Sequence, residues 1–200
     1  MGVRGVRKGT TQIQDTTTIE AEAPKEVRER KHHDFCLGVA NILCKYSPRG
    51  KIPQLGICAV ELSSSTTGSR EAPDIIGFVH NLKVNSYLFE IKLSREDFLA
   101  DKKKVCRKAG YKGMGCWRFY VTPPNLISPD ELPNRWGLIY YDGRKLDFVV
   151  MPTIFHEDER DVWAEQNTLC NLVRRGIIYG KVFDNDDFKE GSRVPRGKKK

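Results

Sequence analysis

The 200-residue sequence predicts an α/β fold, with a central mixed sheet flanked by helices. Two observations carry that prediction. Cys36, Val39, Ala40, Leu43 and Cys44 recur at three-and-four spacing, which sets them on one face of a helix. Strand-like runs then alternate with helical patterns: three strands, a helix, a strand, a hairpin and a last helix.

Residues 1–22 are polar, Thr-rich and basic at their start, so a flexible arm is expected there. Pro24 suits a first helical turn, and the helix it opens should end near Tyr46, before Ser-Pro-Arg-Gly. ICAVEL (57–62), DIIGFV (74–79) and SYLFEIKLS (86–94) are the three strands, with the turn-rich SSSTTGSREAP between the first two. Ser94 is a candidate N-cap, with Asp97 three residues on, and the second helix should run from there to Gly110. CWRFYVT (116–122) reads as a strand closed by Pro123-Pro124, and 136–150 as two strands around Asp142-Gly143. Residues 157–175 look helical, with Val162, Trp163, Leu169, Leu172 and Val173 as the expected buried face. The domain is expected over 23–180, followed by a flexible charged tail at 181–200.

The composition is that of a globular chain, 39% hydrophobic and 10% aromatic, with 30% charged residues and a mean hydropathy of −0.51. No apolar run approaches the roughly 18 residues needed to cross a bilayer, and the N-terminus lacks the apolar middle of a signal peptide. A cytoplasmic protein without membrane contact is expected. Six widely spaced cysteines contain no CxxC pair and do not cluster with the four histidines, which predicts reduced thiols. His32 and His33 show no metal-binding partner at ligand spacing. A net charge of +8 favours a polyanionic partner.

One strand carries the functional signal. Side chains alternate along a strand, so Tyr87, Phe89, Ile91 and Leu93 share an apolar face while Glu90, Lys92 and Ser94 share the other. Pairing with DIIGFV would bring Asp74 beside Glu90. Two carboxylates that close repel each other unless a cation lies between them. A hard divalent ion takes oxygen ligands at about 2.1 Å and keeps several waters, so two carboxylates and a backbone carbonyl suit it. Such an ion can acidify a water for attack at phosphorus, with Lys92 stabilising the charge that builds on the phosphoryl oxygens.

Pro73-Asp74 followed by Glu90-Ile91-Lys92 resembles the PD-(D/E)XK nuclease superfamily, whose restriction-endonuclease-like core has the order αβββαβ. LFEIKLSREDFLADKK, then WRFYVTPP, then ELPNRWGLIYYDGRKLDFVV resemble its MmcB-like branch, which is associated with DNA repair, over roughly residues 35–150. The resemblance implies that Asp74 and Glu90 are metal ligands together with the Ile91 carbonyl, that Lys92 is the catalytic lysine, and that the ion is Mg²⁺ or Mn²⁺. Glu61 stands where relatives often carry a further acid, and Glu29 or Asp34 could supply one from the first helix. Endonucleolytic hydrolysis to a 5′-phosphate and a 3′-hydroxyl is implied, with DNA favoured over RNA; many relatives are homodimers.

Arg70, Lys102, Lys103, Lys104, Arg107, Lys108 and Lys112 are the expected phosphate contacts. The alternative is a non-catalytic nucleic-acid-binding or repair-complex module that retains the fold. A small-molecule phosphoesterase is disfavoured, because a compact substrate has no need of such dispersed basic charge. Trp117, Phe119, Tyr120, Trp136, Tyr140 and Tyr141 are expected in the core.

Overall fold

The computed structural model describes residues 25–45, 47–63, 67–69, 71–80, 84–108 and 110–176. The expected arm, the expected tail and Arg70 lie outside them. Helix α1 (Lys25–Lys45) leads into β1 (Ile57–Val60), β2 (Ile75–His80) and β3 (Val84–Ile91). Helix α2 (Arg95–Asp101) and β4 (Trp117–Thr122) follow, then β5 (Gly137–Tyr141), β6 (Leu146–Val150) and α3 (Val162–Gly176).

The six strands form one mixed sheet in sequential order. β1, β2 and β3 pair antiparallel, β3–β4 and β4–β5 are parallel, and β5–β6 is antiparallel. The parallel β3–β4 pair requires a crossover, which the segment containing α2 provides.

Strand alternation sorts the core into two layers. Tyr87, Phe89 and Ile91 pack with Cys36, Val39 and Leu43 of α1 on one face, whereas Leu88 packs with Phe98 of α2 and Ala164 of α3 on the other. Phe98 is fully buried and meets Tyr120 edge to face at 5.2 Å. Burial of a side chain that size contributes about 1.5–3 kcal/mol. Phe119, Tyr120, Trp136 and Tyr141 are buried as expected, while Trp117 and Tyr140 pack against the core from partly buried positions.

Two expectations are corrected. The second helix has seven residues and ends at Asp101, not at Gly110. Ser94 caps it as foreseen, accepting from the Asp97 N–H. Its early end follows from Asp101, fully buried and bound by Arg107, which draws the following chain back against the sheet. In α3, Leu169 and Leu172 pack against the core as expected, but Trp163 and Val173 are exposed, and the buried positions are Ala164, Glu165 and Thr168. The helix is rotated to bring Glu165 inward, where it accepts from the Gly115 N–H at 2.7 Å and pairs with Arg160. Among the described residues no helix is long and apolar enough to cross a membrane.

Candidate active site

The ends of β1, β2 and β3 converge beside the first half of α1. Asp74 immediately precedes β2, and its Oδ2 accepts a 2.7 Å hydrogen bond from the Ile91 N–H at the end of β3. That bond fixes the carboxylate against the strand carrying the triplet. Lys92 Nζ lies 3.0 Å from Glu90 Oε2 and 3.5 Å from Asp74 Oδ2, so one ammonium bridges both acids. Asp74, Glu90 and Lys92 therefore meet in space, as strand parity requires.

Behind this trio lies an ion network that the sequence did not reveal. Arg107 Nη1 is 2.6 Å from Glu71 Oε1, its Nε 2.8 Å from Asp101 Oδ2, and its Nη2 2.9 Å from Glu90 Oε1. Tyr120 donates to Asp101 Oδ2 at 2.6 Å, and the Met114 N–H donates to Glu71 Oε2 at 2.6 Å. Gly113 is needed beside Glu71, since an added Cβ would lie 2.7 Å from that carboxylate. Arg107 was expected to reach a phosphate. Its side chain is instead 5% exposed, held by three acids and set over the Trp136 ring at 4.7 Å.

The electrostatics follow from this crowding. Burial alone would lower Lys92, but Glu90, Asp74 and Asp101 outweigh it and hold the ammonium above its ordinary value. Burial raises Glu90, against the pull of Lys92 and Arg107. Asp74 is lowered: burial opposes ionisation, and His32, Lys92 and the Ile91 N–H overcome it.

On the α1 side, Glu61 follows β1 in a left-handed conformation, φ 50°, with its N–H bound to the Asp74 carbonyl at 2.8 Å. Few non-glycine residues adopt that backbone, and it turns the Glu61 carboxylate onto α1. Its oxygens lie 2.9 Å from His32 Nδ1 and 2.5 Å from His33 Nδ1. His32 Nε2 lies 3.7 Å from Asp74 Oδ2, an ion-pair distance, and its Nδ1 is 3.6 Å from Cys36 Sγ. Asp74 and then Cys36 push the imidazole up to about 11. The expectation that the histidines lack partners is thus corrected: Cys36 lies one helical turn on, and the fold delivers Glu61 from β1. The His32–Cys36 spacing was visible in the sequence, but the approach of Glu61 was not.

Glu29 pairs with Lys25 on an exposed part of α1, and Asp34 is exposed. Lys102, Lys103, Lys104, Lys108 and Lys112 are exposed; Lys104 Nζ lies 2.7 Å from Asp101 Oδ1, and Lys102 Nζ rests 4.5 Å over Phe98. A groove of about 590 Å³, lined by the bases Lys25, Arg28 and Lys31 and by the acids Glu29, Glu96 and Asp97 among others, borders the site.

The donor set fits a hard divalent ion at one point. Asp74 and Glu90 both approach the position of the Lys92 ammonium, so a cation taking that place touches both carboxylates. Glu90 is otherwise saturated, with one oxygen toward Lys92 and the other toward Arg107. It can ligate a metal only by loosening one of these pairs.

Comparison with protein-family models finds no match, and no curated protein is similar enough to match. Among solved structures, a protein of unknown function from Silicibacter pomeroyi is similar at 22% identity, over 60% of this chain and 75% of that one, with a TM-score of 0.44.

Proposed function

We propose that the chain is a metal-dependent nuclease that hydrolyses phosphodiester bonds in nucleic acid, with DNA the favoured substrate. The observation that carries this reading is the convergence of Asp74 and Glu90 on the single Lys92 ammonium, 3.5 and 3.0 Å away. The element order α1-β1-β2-β3-α2-β4 supports it, since it matches the restriction-endonuclease-like αβββαβ core. Asp74, Glu90 and the Ile91 carbonyl would hold Mg²⁺ or Mn²⁺. Such an ion supplies an acidified water and neutralises charge on the scissile phosphate.

The chain's own groups do the rest. Lys92, kept charged by its neighbours and moved from between the two acids when the ion binds, offers a cation to the phosphoryl oxygens as negative charge builds on them. Arg107 holds Glu90 from behind, so that the acid does not swing away. Lys25, Arg28 and Lys31 line the bordering groove together with Glu29, Glu96 and Asp97, so its charge is mixed and a nucleic-acid backbone would meet it at the three bases. The exposed Lys102, Lys103, Lys104, Lys108 and Lys112 extend the basic surface.

A second reading has its own observation. Glu90 is 1% and Lys92 5% exposed, as suits a structural ion network in a non-catalytic binding module. Labelled single-stranded, duplex and branched DNA and RNA, incubated with the protein in Mg²⁺ or Mn²⁺ beside Asp74→Ala and Lys92→Ala, separate the two readings. The nuclease reading expects metal-dependent cleavage by the wild type alone. Intact substrates bound equally by all three proteins would leave the binding module.

A further inference from the structure

We propose that His32, Cys36 and Glu61 form a transition-metal site of the zinc class on the α1 side of the Asp74–Lys92 centre. The inference stands on this cluster and does not need the nuclease reading. His32 Nδ1, Cys36 Sγ and the Glu61 carboxylate all lie within 4.8 Å of one another. His32 and Cys36 are four residues apart on α1, one turn of the same helical face. Glu61 enters from the end of β1.

The spacing suits a tetrahedral ion. Zinc binds imidazole nitrogen at about 2.0–2.1 Å, carboxylate oxygen at about 2.0–2.2 Å and thiolate sulfur at about 2.3 Å, which places ligand atoms roughly 3.4–3.7 Å apart. The protein has 3.6 Å between Cys36 Sγ and His32 Nδ1, and 2.9 Å between His32 Nδ1 and Glu61 Oε1. The second separation must open, and Glu61, at 35% side-chain exposure, has the freedom to let it while its carboxylate settles toward Cys36 Sγ, already within 4.8 Å. His32 and Glu61 are both partly exposed, which leaves the fourth position to water or His33.

Two further features point to a ligand. The carboxylate of Asp74 stands 3.7 Å from His32 Nε2, the nitrogen that the site does not use. A carboxylate in that place orients a metal-bound imidazole and raises its basicity. Glu61 adopts a left-handed backbone, φ 50°, uncommon for a non-glycine residue, at the turn that presents its side chain to α1. The donor set also selects the metal: a thiolate and an imidazole favour Zn²⁺ or Co²⁺ over Mg²⁺, whose ligands are oxygens. Two centres would thus lie side by side, one hard and one soft, joined through Asp74 and His32.

The test uses the full chain, stripped with a chelator and titrated with Zn²⁺, Co²⁺ and Mg²⁺ by calorimetry and optical absorption. One equivalent of Zn²⁺ binds in the presence of excess Mg²⁺, and Co²⁺ gives a thiolate-to-metal charge-transfer band. Cys36→Ser abolishes that band. His32→Gln, at a partly exposed position that keeps the fold by circular dichroism, weakens Zn²⁺ binding by at least about tenfold, and Asp74→Asn weakens it by about tenfold or more. Cys44→Ser changes neither readout, since that thiol lies against Cys58. A missing charge-transfer band, a band lost in Cys44→Ser but kept in Cys36→Ser, or equal Zn²⁺ affinity in wild type and His32→Gln overturns the proposal. Cleavage of nucleic acid in Mg²⁺ has no bearing on these outcomes, so the two readings fail separately.

Discussion

Replacing Arg107 with Met is the sharpest perturbation of the buried network. The guanidinium lies 2.6, 2.8 and 2.9 Å from Glu71, Asp101 and Glu90, all three nearly inaccessible to water. Met keeps most of the stem over Trp136 but removes the charge. Glu90 then retains Lys92, Asp101 retains Tyr120 and Lys104, and Glu71 retains the Met114 N–H. Three buried carboxylates would face one buried ammonium. Breaking a buried pair by deleting one partner costs about 3–5 kcal/mol, a large share of the roughly 5–15 kcal/mol available to a domain. At about 2–4 °C per kcal/mol, the melting temperature should fall by roughly 6–20 °C. Urea denaturation followed by circular dichroism reads the change directly. Arg107→Lys should rescue little, because one ammonium cannot serve three carboxylates in a fork. A loss below about 1 kcal/mol in Arg107→Met, accompanied by weaker DNA binding, would refute this reasoning and restore Arg107 as a phosphate contact.

Three further outcomes are expected. Asp101 is held below the usual carboxylate range, because Lys92, Arg107, Lys104 and Tyr120 outweigh its burial. A depressed carboxylate stabilises the fold above its unfolded value of about 3.9, and that contribution is lost as the pH falls below it. Urea midpoints should therefore drop through the acid range, and drop less steeply in Asp101→Asn; equal slopes would count against the assignment. Changing Lys103, Lys108 and Lys112 together to Gln should leave stability unchanged, yet flatten the plot of log affinity against log salt by up to about 2.7, at about 0.9 for each duplex-DNA phosphate that is no longer neutralised. An unchanged slope would show that these lysines only solvate the surface. Glu61→Gly should hold or raise the melting temperature, since a left-handed backbone costs a non-glycine residue about 1–2 kcal/mol. A marked fall in melting temperature would mean that the His32 and His33 contacts outweigh the strain.

The sheet was legible because its strands are short, β-rich and separated by turn residues, and because strict alternation assigned Phe89 and Glu90 to opposite faces before any contact was seen. Ser94 declared its helix in the same way. The length of that helix was not legible: Lys102, Lys103 and Lys104 are good helix formers, and what stops the helix is Asp101 reaching Arg107, a tertiary effect. Arg107 itself illustrates the limit. It sits in a basic run that reads as a phosphate-binding face, and only the fold shows Glu71, from a distant loop, arriving to claim it. The same holds for His32, whose partner Glu61 is adjacent only because β1 ends against α1. In α3, Trp163 looked like core because it is large and apolar, whereas the helix turns Glu165 inward to satisfy the Gly115 N–H.

Asp74 and Lys92 are proposed to belong to a phosphodiester-cleaving centre. Its most direct measurement is single-turnover cleavage of labelled DNA, by wild type, Asp74→Asn and Lys92→Met in Mg²⁺ or Mn²⁺, with binding affinity read from the same samples. Cleavage should need the ion, and should fall by at least about a hundredfold in either variant while affinity changes by less than about tenfold. Metal-independent cleavage, or equal rates in wild type and both variants, would contradict it.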